Sequence, residues 1–267
     1  MKKSCYLLIF FALLSLCLCF VACTDDDDDS GSDNSAQAAA CDELGFGKSY
    51  TKIINGATCN TANSAVVGLD IVDIYGDSGV CSGTIISSNA VLTAAHCFEN
   101  DAISVKIKAG DKVYNAVSVV VHPNYNQGYA NKYEHDLAIV NISNTFHIAP
   151  MPIITSTTAN QGETVIIAGF GQDESGKTGT LKAAYMKVNR TTSLGFYTVY
   201  DDTHTNVCFG DSGGPAFGYV NGVLGILGTT SYGTKTDCLS GDETFFPSLK
   251  LSKNANFILS NASAGQI

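Results

Sequence analysis

The chain has 267 residues, a formal net charge of −10, a hydrophobic content of 45% and no tryptophan. That length fits one large β-rich unit after loss of a leader, with ample chain to bury a core. A single arginine, Arg190, excludes a nucleic-acid surface, and the mild acidity bears on solubility alone.

Residues 1–22 are predicted to be an export signal, because Lys2 and Lys3 precede an apolar run from Tyr6 to Ala22. The run is nearly long enough to span a bilayer. It ends, however, in Phe20-Val21-Ala22-Cys23, which resembles a bacterial lipobox with Phe20 in place of the usual Leu. That resemblance implies a lipid on Cys23 and anchorage to a membrane; ordinary cleavage and secretion is the alternative. Asp25 to Asp29, then Ser30-Gly31-Ser32-Asp33-Asn34-Ser35, repel one another and bury nothing. Residues 23–52 therefore read as a solvated tether and activation peptide. The Asp run lacks the interspersed glycine and distant glutamate of a calcium loop.

Past the tether, short β-rich runs recur: 65–74, 84–86, 103–108, 116–121, 137–142, 164–168, 185–188, 222–228 and 244–249. Gly, Asn, Asp and Ser clusters separate them, which predicts an all-β antiparallel barrel or sandwich. The only helix expected is terminal, over Leu251–Ser260. Six cysteines follow Cys23: Cys41, Cys59, Cys81, Cys97, Cys208 and Cys238. An even number in an exported chain points to disulfides. A zinc site is disfavoured, since no C-x-x-C pair or Cys/His cluster is present. No metal and no cofactor is expected.

The chemistry centres on Cys208-Phe209-Gly210-Asp211-Ser212-Gly213-Gly214-Pro215. A serine hydroxyl becomes a nucleophile when a base takes its proton and donors hold the oxyanion it creates. The glycines around Ser212 permit a sharp turn and close substrate approach. Thr93-Ala94-Ala95-His96-Cys97 follows the apolar strand end Ala90-Val91-Leu92 and offers a base. His135-Asp136-Leu137-Ala138-Ile139-Val140 places an acid directly before a buried strand. Neighbouring strand residues face opposite ways, so His135 is not expected to share a site with Asp136.

In these motifs, in the order His, Asp, Ser, the chain resembles the chymotrypsin/trypsin-like serine endopeptidases from Ile53 to the C-terminal segment. The resemblance implies two antiparallel six-stranded β-barrels with a C-terminal helix and the active site between the barrels. His96 and Asp136 would lie on the first barrel and Ser212 on the second. His96 becomes the general base, Asp136 its orienting acid, and Ser231 a second donor to Asp136. Gly210 and Ser212 would give the oxyanion N–H groups. Cys81–Cys97 and Cys208–Cys238 match family bridges. Cys41 and Cys59 are left and can pair, which would resemble members whose activation peptide stays disulfide-linked; deliberate release with both cysteines unpaired is the alternative.

Ile53-Ile54-Asn55-Gly56 after Lys52 resembles the N-terminus that family precursors expose when an activating protease cuts them. The freed Ile53 ammonium would then pair with Asp211. For the substrate pocket the resemblance points to Asn206, Val207, Ser231, Tyr232, Gly233 and Thr244. Neutral Asn206 at the pocket base predicts uncharged side chains of small to medium size; a preference for Lys or Arg would require another acid, Asp237 or Asp242, to reach the pocket. The resulting expectation is an endopeptidase acting on proteins or peptides, made as a precursor that is inactive until the Lys52–Ile53 bond is cut, and the competing one is an inactive protease-fold binding protein at the cell surface.

Overall fold

The computed structural model describes residues 39–46, 48–49, 57–125, 132–173, 175–200 and 206–267. The leader, Cys23, the Asp25–Asp29 run and Lys52 to Gly56 lie outside the described residues.

Helix α1, described over residues 39–43, comes where an extended tether was expected. It ends in a Schellman motif: Phe46 N–H donates to Cys41 O at 2.9 Å, and Gly45 N–H to Asp42 O at 2.9 Å. Gly45 takes φ +73, which it alone adopts without strain. Ala40, Cys41, Leu44 and Phe46 are buried, so this segment belongs to the folded body. Its outer face is held by a hydrogen bond from Tyr185 to Glu43. Strand β1 (Lys48–Ser49) pairs antiparallel with β2 (Ala57–Cys59), and β2 carries Cys59 to a disulfide with Cys41. A closed loop of that size contributes about 3 kcal/mol.

Six strands then form a closed antiparallel barrel. They are β3 (Val66–Asp73), β4 (Ser78–Ile85), β5 (Ala90–Thr93), β6 (Ala102–Ala109), β7 (Lys112–Val121) and β8 (Ala138–Ile142). The order around the barrel is β3-β4-β5-β8-β7-β6. Alternation drives this closure. In β6, Val105, Ile107 and Ala109 point in while Ser104, Lys106 and Lys108 point out. The inward side chains, with Val67, Leu69, Ile85, Val91 and Val140, fill the barrel.

The second sheet uses β9 (Thr164–Gly169), β10 (Lys182–Thr191), β11 (Gly195–Val199), β12 (Pro215–Val220), β13 (Val223–Thr229), β14 (Tyr232–Gly233) and β15 (Glu243–Pro247). Its order is β13-β12-β9-β10-β11-β15-β14, with β2 added against β10. The expected second six-stranded barrel takes the form of a half-barrel, with β13-β12-β9-β10-β11-β15 as its six principal strands and β14 at the edge. Just past β15, Ser248 bridges Gly228 of β13 and Leu249 N–H donates to Leu227 O at 3.1 Å. Pro247 has no N–H to donate, so a full closing ladder cannot form there. Helix α2 (Ser252–Asn261) ends the fold and buries Ala255, Phe257 and Ile258. A third cluster joins residues of both sheets with both helices, among them Leu44, Leu92, Leu137, Phe217 and Phe257.

Candidate active site

β5 and β8 lie side by side, with Thr93 opposite Ala138. The chain leaves β5 into a 3₁₀ turn, Ala95–Phe98, and enters β8 from another, Lys132–His135. His96 and Asp136, 40 residues apart, thereby meet at one rim of the first barrel. His96 Nδ1 lies 2.7 Å from Asp136 Oδ2, and the His96 backbone N–H donates to Asp136 Oδ1 at 2.9 Å. Ser231 Oγ, from the second sheet, donates to Oδ2 at 2.5 Å. Burial of Asp136 opposes its charge, yet the His96 charge and these hydrogen bonds outweigh burial and hold the carboxyl below its ordinary range. His135 faces elsewhere, as expected. It is buried, stacks on His122 at 4.6 Å and bonds Asn254 through Nδ1 at 2.7 Å.

Ser212 rides on the loop before β12. Its carbonyl accepts the Ser82 N–H at 2.8 Å, which locks the loop against the first barrel. Gly213 follows with φ +80, and a Cβ there would fall 2.1 Å from Thr93 Oγ1 and 2.6 Å from Ala94 N. Only glycine lets the Ser212 loop come so near the strand that leads to His96. Around Ser212 the backbone donors are divided. Asp211 N–H goes to Cys208 O at 3.0 Å, Gly213 N–H to Thr230 O at 2.8 Å, and Gly214 N–H to Asp211 O at 2.8 Å. Among the described residues, the N–H groups of Gly210 and Ser212 donate to no protein acceptor. Two donors flank the serine with capacity to spare.

Asp211 points inward and is buried. Its carboxylate accepts Cys208 N–H at 3.0 Å and Gly171 N–H at 2.8 Å. Burial pushes its pKa up to about 6, against the pull of these bonds and of the Lys182 ammonium.

His96 and Ser212 open on a crevice of about 680 Å³. Val207, Ser231, Tyr232 and Gly233 line it, and Cys208–Cys238 braces its wall. Two other residues named for the pocket, Thr244 and Asn206, are not among those that line this crevice. Thr244 is buried within the sheet, paired with Gly233 on one side and Thr198 on the other, and does not line the crevice. Asn206 also lies behind the wall, donating through Nδ2 to Cys238 O at 2.9 Å and Asp242 Oδ2 at 3.2 Å. Asp73, Asp77, Glu99, Asp101 and Asp242 line the crevice; Asp242, 1% exposed, is the one bonded to Asn206, and its Oδ1 accepts Lys235 N–H at 2.8 Å and Thr234 Oγ1–H at 3.1 Å. Asp237 stays exposed and is no part of the lining.

Ser82 escaped the sequence reading. Its hydroxyl donates to Gly210 O at 2.8 Å and accepts Phe170 N–H at 2.9 Å, tying both sheets to the serine loop. A small polar residue beside Cys81 in an otherwise inward-facing stretch was its only signal.

Two barrel-like sheets with a His–Asp pair on one, a serine loop on the other and a crevice between them define a serine endopeptidase, a hydrolase. The chain belongs to the trypsin family, whose model matches residues 53–248. It is 32% identical over 183 residues to alkaline trypsin C of Manduca sexta, covering 57% of this chain and 69% of that one. It is 28% identical over 180 residues to trypsin alpha of Drosophila melanogaster, covering 57% and 67%. Among solved structures it resembles an HL collagenase with TM-score 0.64 and 25% identity, across 78% of this chain and 98% of the other. Proteins or peptides are thus the substrates, and the three disulfides fit an exported protein.

Proposed function

We propose that this endopeptidase works through His96, Asp136 and Ser212 with an acyl-enzyme intermediate. Ser212 Oγ attacks the scissile carbonyl as His96 takes its proton. Asp136 remains ionised and stabilises the imidazolium. The Gly210 and Ser212 N–H groups receive the oxyanion; one such donor is worth about 3 kcal/mol. His96 then gives the proton to the leaving amine, and water releases the acyl group by the same steps. The observation that carries this reading is the Asp136 carboxylate, buried and bonded to His96 and Ser231, both of which line the crevice that holds Ser212. A fluorophosphonate probe should label the wild-type protein and not Ser212→Ala. Equal labelling of both would overturn the reading.

Activation follows a cut between Lys52 and Ile53 by another protease. Buried Asp211 supports this, and so does chain reach. Ala57 pairs with Ala183, next to Lys182, which pairs with Gly169 beside Asp211. The four residues before Ala57 can span up to ~14 Å, enough to bring the Ile53 ammonium to that carboxylate. Lys52→Gln should resist the activator. The Phe20-Val21-Ala22-Cys23 run supports a lipid on Cys23, which would anchor the protease to a membrane.

Asp242 carries the substrate class. A neutral side chain in the pocket leaves that buried carboxylate with no cation, whereas Lys or Arg supplies both charge and donors. Cleavage after Lys and Arg is the outcome that replaces the uncharged preference drawn from Asn206.

A further inference from the structure

Asn254 is buried on helix α2, at 0% exposure, and the mechanism above gives it no part. Asparagine is a weak helix former, and its amide is costly to bury unpaired. Here the amide is fully engaged. Nδ2 donates to Glu134 O and to Ser248 O, each at 2.9 Å. Those two carbonyls fix Nδ2 as the donor end and leave Oδ1 as the acceptor. The 2.7 Å contact between Oδ1 and His135 Nδ1 is therefore a hydrogen bond donated by the imidazole. Glu134 and His135 close the 3₁₀ turn Lys132–His135, and Asp136 is the next residue. The His135 ring is also held on its face. His122 stacks on it at 4.6 Å with 3° between the planes, and Phe257 of α2 packs on His122 at 4.7 Å.

We propose that Asn254 is a positioning residue for Asp136, through which the C-terminal helix sets the backbone that carries the acid to His96. The Asp136 carboxylate is gripped in front by His96 and Ser231. Asn254 grips the turn behind it, by a carbonyl and by a ring. The same amide holds Ser248 O, and Ser248 bridges Gly228 of β13. One side chain thus ties the end of the second sheet to the turn of the first barrel that delivers Asp136. Without it, Glu134 O and the His135 ring lose their anchor, and the carboxylate loses its fixed distance from His96 Nδ1. A displacement of about 1 Å in such a constellation costs on the order of 10²-fold in rate. The inference rests on Asp136 orienting His96.

The test uses the activated full chain and a peptide substrate. Asn254→Leu, close to asparagine in shape, removes all three hydrogen bonds. It should lower kcat by about tenfold to a hundredfold, with KM moved less than about twofold. In an Asp136→Asn background the same substitution should lower kcat by less than about threefold, because Asn254 acts through the acid that is already lost. A merely structural role would repeat its full loss there. Three results would each overturn the proposal: an Asn254→Leu enzyme with unchanged kcat and a lowered melting temperature, a loss confined to KM, or an equal kcat loss in both backgrounds. If Asn254→Leu does not fold, Asn254→Ser makes the same comparison. An Asp136→Asn enzyme as active as the wild type would sink the triad reading instead, which keeps the two failures distinct.

Discussion

Ser82 and Gly210, 128 residues apart, are joined across the two sheets by a 2.8 Å hydrogen bond from the serine hydroxyl to the glycine carbonyl. The same hydroxyl accepts Phe170 N–H, so one small side chain fixes the peptide unit beside the N–H groups proposed to receive the oxyanion. Ser82→Ala leaves both backbone groups buried without their partner. It should cost about 1–3 kcal/mol of stability and lower kcat more than it raises KM. Denaturant unfolding with steady-state kinetics checks this; unchanged kcat in a destabilised protein would reduce Ser82 to a packing role.

The pH dependence of the uncut chain should carry the signature of Asp211. Its folded pKa, about 6, lies above the ordinary carboxylate value. Between those two values the folded state holds a proton that the unfolded chain has lost, so stability falls as pH rises through the window and levels off above pH 6. The full effect is about 3 kcal/mol at most. Asp211→Asn should flatten that part of the melting curve against pH in the uncut protein. Superimposable profiles for the two proteins would contradict the burial argument.

Asp242 should decide what enters the crevice. Asp242→Ser removes the carboxylate and leaves Asn206, Thr234 and Lys235 as neutral or peripheral neighbours. Cleavage after Lys and Arg should fall by about 10²-fold or more, the scale of a lost buried charge partner, while cleavage after uncharged residues changes less. A peptide-library profile of both proteins reads the outcome. A wild-type profile dominated by small neutral residues would return the pocket to Asn206.

The Cys41–Cys59 bond brackets the expected cut. Activated protein should run as one band without reductant and as two with it. Separation without reductant would show that activation releases the protease. Cys59→Ala should also cost roughly 3 kcal/mol by the loop-closure estimate, measured as a lowered melting temperature before cutting.

The first barrel was legible because its strands alternate cleanly and end in clear turns, as in β6. β12 was hidden by its own residues: Pro215 and Gly218 break the expected strand composition, yet Gly218 sits where Leu227 leaves no room for a side chain. β11 is only five residues long and follows directly on β10's turn, so no run stood out. Helix α1 was missed although Cys41-Asp42-Glu43-Leu44-Gly45-Phe46 carries a helix-ending pattern, because the acidic residues upstream set the expectation of a solvated tether. The His96, Asp136 and Ser212 candidates were drawn from local motifs. Asp242 needed three dimensions: its reach into the crevice depends on the turn between Cys238 and Glu243, whose register no pattern in the chain dictates.

The docking of residues 39–46 also bears on how this protein can be made. A chain begun at Ile53 would lack α1, leaving the Cys59 thiol without its partner and uncovering the apolar surface that Ala40, Leu44 and Phe46 close. Such a product invites intermolecular disulfides and aggregation during refolding. Recombinant protein should start upstream of residue 39 and be cut at Lys52 only after it has folded and oxidised.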